Sequence, residues 1–201
     1  MKRYLCRMNT FETISNIIRN RRSTKPAEMN GEKIDNALIH QLLELADWAP
    51  THARTEPWRF IVHEGAGKKQ FCLGHAEVYK ANTDPEQFNQ GKYEKLQTQG
   101  DPISHIIVVY MKRTLDKPIP VIEETAAVSA AVQNMLLGAA SLGIAALWST
   151  GGMTHHPAMK EHLGLGAEDV IMGLLFLGYS DLQAKEGKRN IPLEAKITWR
   201  N

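Results

Sequence analysis

The chain has 201 residues, 43% of them hydrophobic, and a formal net charge of +2 from 24 Lys and Arg against 22 Asp and Glu. That length predicts one folding unit over residues 1–201 instead of two, and the well-mixed charges speak against the one-sided basic field that nucleic-acid binding needs. Two cysteines, Cys6 and Cys72, make neither a disulfide framework nor a zinc knuckle and fit a reducing cytoplasm.

Residues 1–8 are basic but lack a sustained apolar run and a cleavage site, so they read as a disordered or surplus start, with Met8 as an alternative first residue. Asn9 or Thr10 can cap a helix through Phe11, Ile14, Ile17 and Ile18, which ends in the basic residues 19–22. A second amphipathic helix spans 35–48, with Ile39, Leu42, Leu43 and Leu45 apolar, and stops at Ala49-Pro50. Residues 58–63 and 106–111 are rich in β-formers and predict strands. Between them, residues 80–101 are polar and read either as a lid or as a solvated helical hairpin.

Residues 125–142 are small or apolar on nearly every face, which predicts a helix buried all round. Ser129, Gln133, Asn134 and Gly138 interrupt it, so it is not a membrane span. Enclosing such a helix in so short a chain is easier if a second subunit covers part of it, which points to a homodimer. Gly143 ends the helix; a strand over 145–150 leads into Gly151-Gly152, a short helix covers 157–163 and a buried strand 170–179. The tail, 191–201, has an extended pattern with Pro192, Ile197 and Trp199 and could reach a partner chain. The sum is an α+β fold with helices flanking a central sheet.

Nucleotide-loop, nucleophile-elbow and His-Glu-x-x-His motifs are missing, and His155, His156 and His162 lack a carboxylate at ligand spacing, so no metal is expected. Three segments remain. Arg21-Arg22-Ser23-Thr24-Lys25 places three cations and two hydroxyls where a loop can wrap a phosphate; the alternative is a solvated basic helix end. Residues 49–58 combine Pro50, His52, Arg54 and Glu56, and His52 is either a donor to a ligand or a structural hydrogen-bonder. At Trp148-Ser149-Thr150-Gly151-Gly152 the glycines either admit a flat ligand close to the backbone or make a tight turn.

Taken in order with Glu56-Pro57-Trp58-Arg59-Phe60, Gln133-Asn134-Met135-Leu136-Leu137 and Leu177-Gly178-Tyr179, these segments resemble the nitroreductase family, and more closely its short members. The resemblance implies a central mixed, mainly antiparallel sheet flanked by helices, in an interlocked homodimer with FMN between the chains. It implies that Arg21, Arg22 and Ser23 contact the FMN phosphate and ribityl chain, and that Lys25 stands at the pyrimidine edge, where a cation favours reduction. Trp48 and His52 match positions that reach FMN from the second subunit. Trp148, Ser149 and Thr150 match the stretch along the isoalloxazine, and Gly151 could offer an N–H to the reactive edge. Lys188 and Arg189 resemble phosphate-binding residues of longer members, and residues 138–143 match a stretch linked to the nicotinamide cofactor.

Two departures stand out: Glu56 replaces the common Gln before Pro-Trp, and is expected to pair with Arg54 or Arg59, while Trp48 replaces an arginine of one close branch. The implied activity is ping-pong hydride transfer from NADH or NADPH through flavin N5 to a nitroaromatic, quinone or related acceptor, without a catalytic side chain. The alternatives are a non-catalytic FMN-binding or sensory protein, a specialised flavin dehydrogenase or dehalogenase on the same fold, and a cofactor-free interaction protein.

Overall fold

Alternation along the β-rich runs builds a sheet with two apolar faces. In the computed structural model, which describes residues 2–200 and the side chains of residues 9–200, four antiparallel strands are ordered β1-β2-β4-β3. They are β1 (Trp58–Glu64), β2 (His105–Met111), β3 (Ala145–Ser149) and β4 (Val170–Gly178). The two central strands are buried along almost their whole length, as near-continuous apolar sequences must be to leave water. Residues 23–24 run beside β3: Ser23 forms a parallel bridge with Ala146, and the Thr24 N–H donates to the Ala146 carbonyl at 2.9 Å. The sheet is therefore mainly antiparallel with one parallel contact.

Among the described residues six helices flank it: α1 (Lys2–Asn20), α2 (Asn36–Asp47), α3 (Gly65–Ala81), α4 (Gln90–Thr98), α5 (Val121–Ser141) and α6 (Pro157–His162). On one face Leu42 and Ala46 of α2 and Val128, Val132 and Met135 of α5 pack with Ile107, Val109, Leu175 and Leu177. On the other, Phe71, Cys72 and Ala76 of α3, Leu96 of α4 and Met159 of α6 cover Ile106, Val108, Leu174 and Phe176. The expected helix-flanked α+β sheet is what the chain forms. Among the described residues no helix is long and apolar enough to cross a membrane.

α3 was not foreseen, because Gly65, Gly67 and a polar first turn hide a buried face of Phe71, Cys72, His75, Ala76 and Tyr79. Residues 80–101 form the end of α3, a turn and α4. Asn89 caps α4 through Lys92 N–H at 2.8 Å, Tyr79 Oη accepts the Asn89 N–H, and Phe88 stacks on Tyr79. Within one chain α5 is not buried all round: Ala126 and Gln133 are exposed, and Ala130, Asn134 and Leu137 are half-buried along the face away from the sheet. Phe11, Ile14 and Ile18 of α1 are exposed as well. The expectation of a disordered or surplus start at 1–8 falls on Met1 and on side chains outside the described residues.

The β2–β4 register shifts opposite Gly173, whose φ of +144° lies where L side chains are rarely found. The Trp148 indole fills the space a Cβ would take there, and its Nε1–H donates to the Met172 carbonyl at 2.9 Å. Gly173→Ala is therefore expected to destabilise the fold by about 1–3 kcal/mol, read as a lower urea midpoint at unchanged slope.

Candidate functional site

Side chains alternate across β3, and that alternation decides which of them meet the site. Ala146 and Trp148 face α5, whereas Leu147 and Ser149 turn to the opposite face, beside Leu174 and Phe176 of β4. There they form the apolar wall of a cavity of about 650 Å³. Lys25 and Pro26 border it at the end of the strap that runs along β3, Gly151 and Gly152 at the exit of β3, and His75 on α3. Lys92 and Lys95 of α4 and Gln99 at its C-terminal cap stand on the rim. Three lysines and no carboxylate thus line a space with an apolar wall, a setting that favours a flat ligand carrying negative charge.

The strap is held by its own backbone. The Arg21 N–H closes on Ile17 as α1 ends, and Ser23 and Thr24 join Ala146. Arg22 does not line the cavity. Its guanidinium donates to the carbonyls of Lys185 at 2.9 Å, Arg19 at 2.6 Å and Arg21 at 2.9 Å, and it lies against Gly187. The tail is thereby drawn to the strap. Lys188 and Arg189 follow at once, both exposed and outside the cavity, with Arg189 Nη1–H on the Lys188 carbonyl at 3.1 Å. Glu28 joins the two segments again: it takes Lys185 Nζ–H at 2.7 Å and the Lys25 N–H at 3.1 Å, and these bonds hold its carboxyl below the usual carboxylate range.

Trp48 and His52 lie on the other side of the molecule. Trp48 is 86% exposed at the end of α2, beside a cleft formed with Ile14, Ile17, Leu137 and Gly138. His52 Nδ1 meets Glu123 Oε2 at the start of α5, above Ala126 and Ala130. Within one chain neither reaches the cavity. Trp148 also turns its side chain away from it, Thr150 is exposed, and Ser149 and Gly151 border it. Gly138 packs against Leu42 and Leu45, so the start of the 138–143 stretch faces α2 instead of the cavity.

Glu56 is not paired as expected. The loop before β1 holds Ala53, Arg54 and Glu56 at positive φ, and this turns the Glu56 carbonyl, not its carboxylate, onto Arg59 Nη1–H at 2.8 Å. The residues missed in the sequence are His75, on the unforeseen α3, and Lys92, Lys95 and Gln99, in the segment 80–101 that reads as a lid or hairpin without any one residue standing out. Among the described residues no three His, Cys, Asp or Glu gather in a way that could hold a metal.

The sequence profile of the nitroreductase family matches residues 18–179, from the end of α1 to the residue after β4. The chain belongs to the nitroreductase family. A solved nitroreductase-like family protein from Bacillus cereus is 32% identical, with 93% of this chain and 95% of that one covered and a TM-score of 0.79. YfhC of Bacillus subtilis, provisionally named an NAD(P)H nitroreductase, is 26% identical over 191 residues, covering 95% of this chain and 96% of the relative. A nitroreductase with bound FMN from Bacteroides fragilis shares the fold at 20% identity, with a TM-score of 0.67 over 94% of this chain and 98% of that one. In this nitroreductase-family chain the matched span includes the strap, α4 and the glycine turn, and it ends before Lys188 and Arg189.

Proposed function

We propose that the protein is an FMN-dependent oxidoreductase of the cytoplasm, folded as a single unit over its length and active as a homodimer that holds FMN between the chains. The observation that carries this reading is the cavity itself: in a member of this family, an apolar wall, a glycine turn and three lysines meet with no carboxylate among them. The residues fit the cofactor. Leu147, Leu174 and Phe176 offer a surface for a ring, and Gly152 keeps the wall free of a side chain. When bound, FMN supplies the ring that takes a hydride from NADH or NADPH and returns the electrons to a nitroaromatic, quinone or related small acceptor.

The chain's own work is positioning and charge. Arg21 and Ser23 hold the phosphate and ribityl end, Arg22 fastens the tail that carries Lys188 and Arg189 beside them, and Lys25 sets a positive charge at the pyrimidine edge. Ser149 and Gly151 lie along the ring. The dimer is supported by apolar surface that one chain leaves open: Phe11 and Ile18 on α1, Trp48, the outer face of α5, and Ile191 and Trp199 of the tail. A second copy seated there would cover this surface and bring Trp48 and His52 toward its partner's cavity.

Purified protein is expected to be yellow and dimeric, and to bleach when NADH or NADPH is added without oxygen. Colour that persists under both donors would mark a flavin holder without turnover, and a colourless monomer that takes up no added FMN would end the proposal. Ser23→Ala should raise the FMN dissociation constant about tenfold, as the loss of one charge-assisted hydrogen bond does. Lys25→Ala should make the bound flavin harder to reduce, by roughly tens of millivolts, because one charge near the ring is removed. Unchanged retention and potential in both variants would count against the strap.

A further inference from the structure

One wall of the cavity is held by an imidazole with no role in the function proposed above. His75, on α3, is 1% exposed. Its Nε2 accepts the Met153 N–H at 2.8 Å. A ring nitrogen accepts only when it carries no proton, so the imidazole is neutral with its hydrogen on Nδ1. Burial supports that form, and His162 and Lys92 nearby oppose a second positive charge.

The same ring shapes the turn it bonds. Gly152 has a φ of +69°, and a Cβ there would stand 2.5 Å from His75 Nε2, so both the conformation and the close approach call for glycine. From the other side Thr154 Oγ1–H donates to the Gly151 carbonyl at 2.6 Å. The turn is therefore clamped on both flanks. Among the described residues the Gly152 N–H has no acceptor within the chain, and Gly152 borders the cavity.

We propose that His75 is a positioning residue whose neutral imidazole clamps the 151–153 turn and keeps the Gly152 N–H uncommitted at the cavity wall for a bound ring. The part concerning the ring rests on the flavin reading; the part concerning the turn does not. A protonated ring, or a side chain without an acceptor, would leave the Met153 N–H unpaired and the turn free to move.

Amide hydrogen exchange over residues 151–156, followed by mass spectrometry on the FMN-free protein, tests the clamp directly. His75→Leu should speed exchange there about tenfold while β2 and β4 stay slow, since one buried backbone bond is lost locally. His75→Gln, whose Oε1 can take the place of Nε2, should restore most of the protection. Gly152→Ala approaches from the opposite partner and should loosen the turn as His75→Leu does. With FMN, the two loosening variants should bind about tenfold more weakly and shift the flavin midpoint potential, whereas His75→Gln should resemble the parent. Equal exchange in His75→Leu and the parent protein, or no rescue by His75→Gln, overturns the clamp. A loosened turn with unaltered FMN affinity and potential overturns its link to the ring. A parent protein that binds no FMN sinks the flavin reading while the exchange measurement still decides on the clamp.

Discussion

Glu124→Ala is expected to cost about 3–5 kcal/mol of folding stability, the usual loss when one partner of a buried ion pair is removed. The Glu124 side chain is fully buried at the start of α5, where it pairs with Arg113 Nη1 and takes the Thr114 N–H on its other oxygen at 3.2 Å. Arg113 cannot retreat to water, because its Nη2–H is held by the Ile119 carbonyl at 2.7 Å and its backbone N–H by Asp169 at 3.1 Å. Deleting the carboxylate would strand a guanidinium and a backbone donor together. Glu124→Gln keeps an acceptor and loses only the charge, so it should fall between the two. Urea unfolding measures both, and a loss below about 1 kcal/mol for Glu124→Ala would reject this account. The adjoining Glu123 holds His52, so loosening the first turn of α5 should also disturb the loop that presents His52.

Acidification from pH 6.5 toward 4 should remove up to about 3 kcal/mol of stability through His75. Burial pushes its pKa down to about 4, against an ordinary value of 6.5. Between those values the unfolded chain binds a proton that the folded chain refuses, so stability falls as pH falls and is fully present above the ordinary value. The charged and titratable groups that act on the ring, Lys92 of α4 and His162 of α6, both oppose protonation, and Phe71 packs against it edge-on. Burial lowers His63 and His105 as well, and they add to the same trend. The carboxyls of Glu28, Glu64 and Asp169, held below their usual range, contribute stability that is lost only at lower pH, as each is protonated in the fold. The first loss on acidification therefore belongs to histidines. His75→Gln should flatten much of the slope between pH 6.5 and 5; an equally steep slope in that variant would point elsewhere.

Where a property depended on local pattern, the sequence was a sufficient guide. Alternating and continuous apolar runs located the four strands, and the amphipathic run 35–48 with its Ala49-Pro50 stop located α2, of which Asp35 proves to be the cap. Where it depended on a partner in space, pattern misled. α5 looks apolar on every side, and pattern alone does not say that the face bearing Val128, Val132 and Met135 is the one that meets the sheet. Trp148 sits next to Ser149 in sequence, but strand parity sends its ring to the opposite layer, a fact that needs the β3–β4 pairing to be known. His75 reads as a lone histidine, and nothing local announces that Met153, 78 residues on, will donate to it. The strap was legible as a set of cations, but not the division of labour within it, in which Lys25 faces the cavity while Arg22 ties down the tail.

The strap has one further effect, on how the protein behaves when damaged. An uncovered strand edge presents unpaired N–H and C=O groups that recruit stray chains. Ser23 and Thr24 occupy part of the outer border of β3 through Ala146. Cutting the polypeptide upstream of Lys25 would therefore bare a sticky margin at the same stroke that removes its arginines, so such a fragment should precipitate as well as fail to bind ligand.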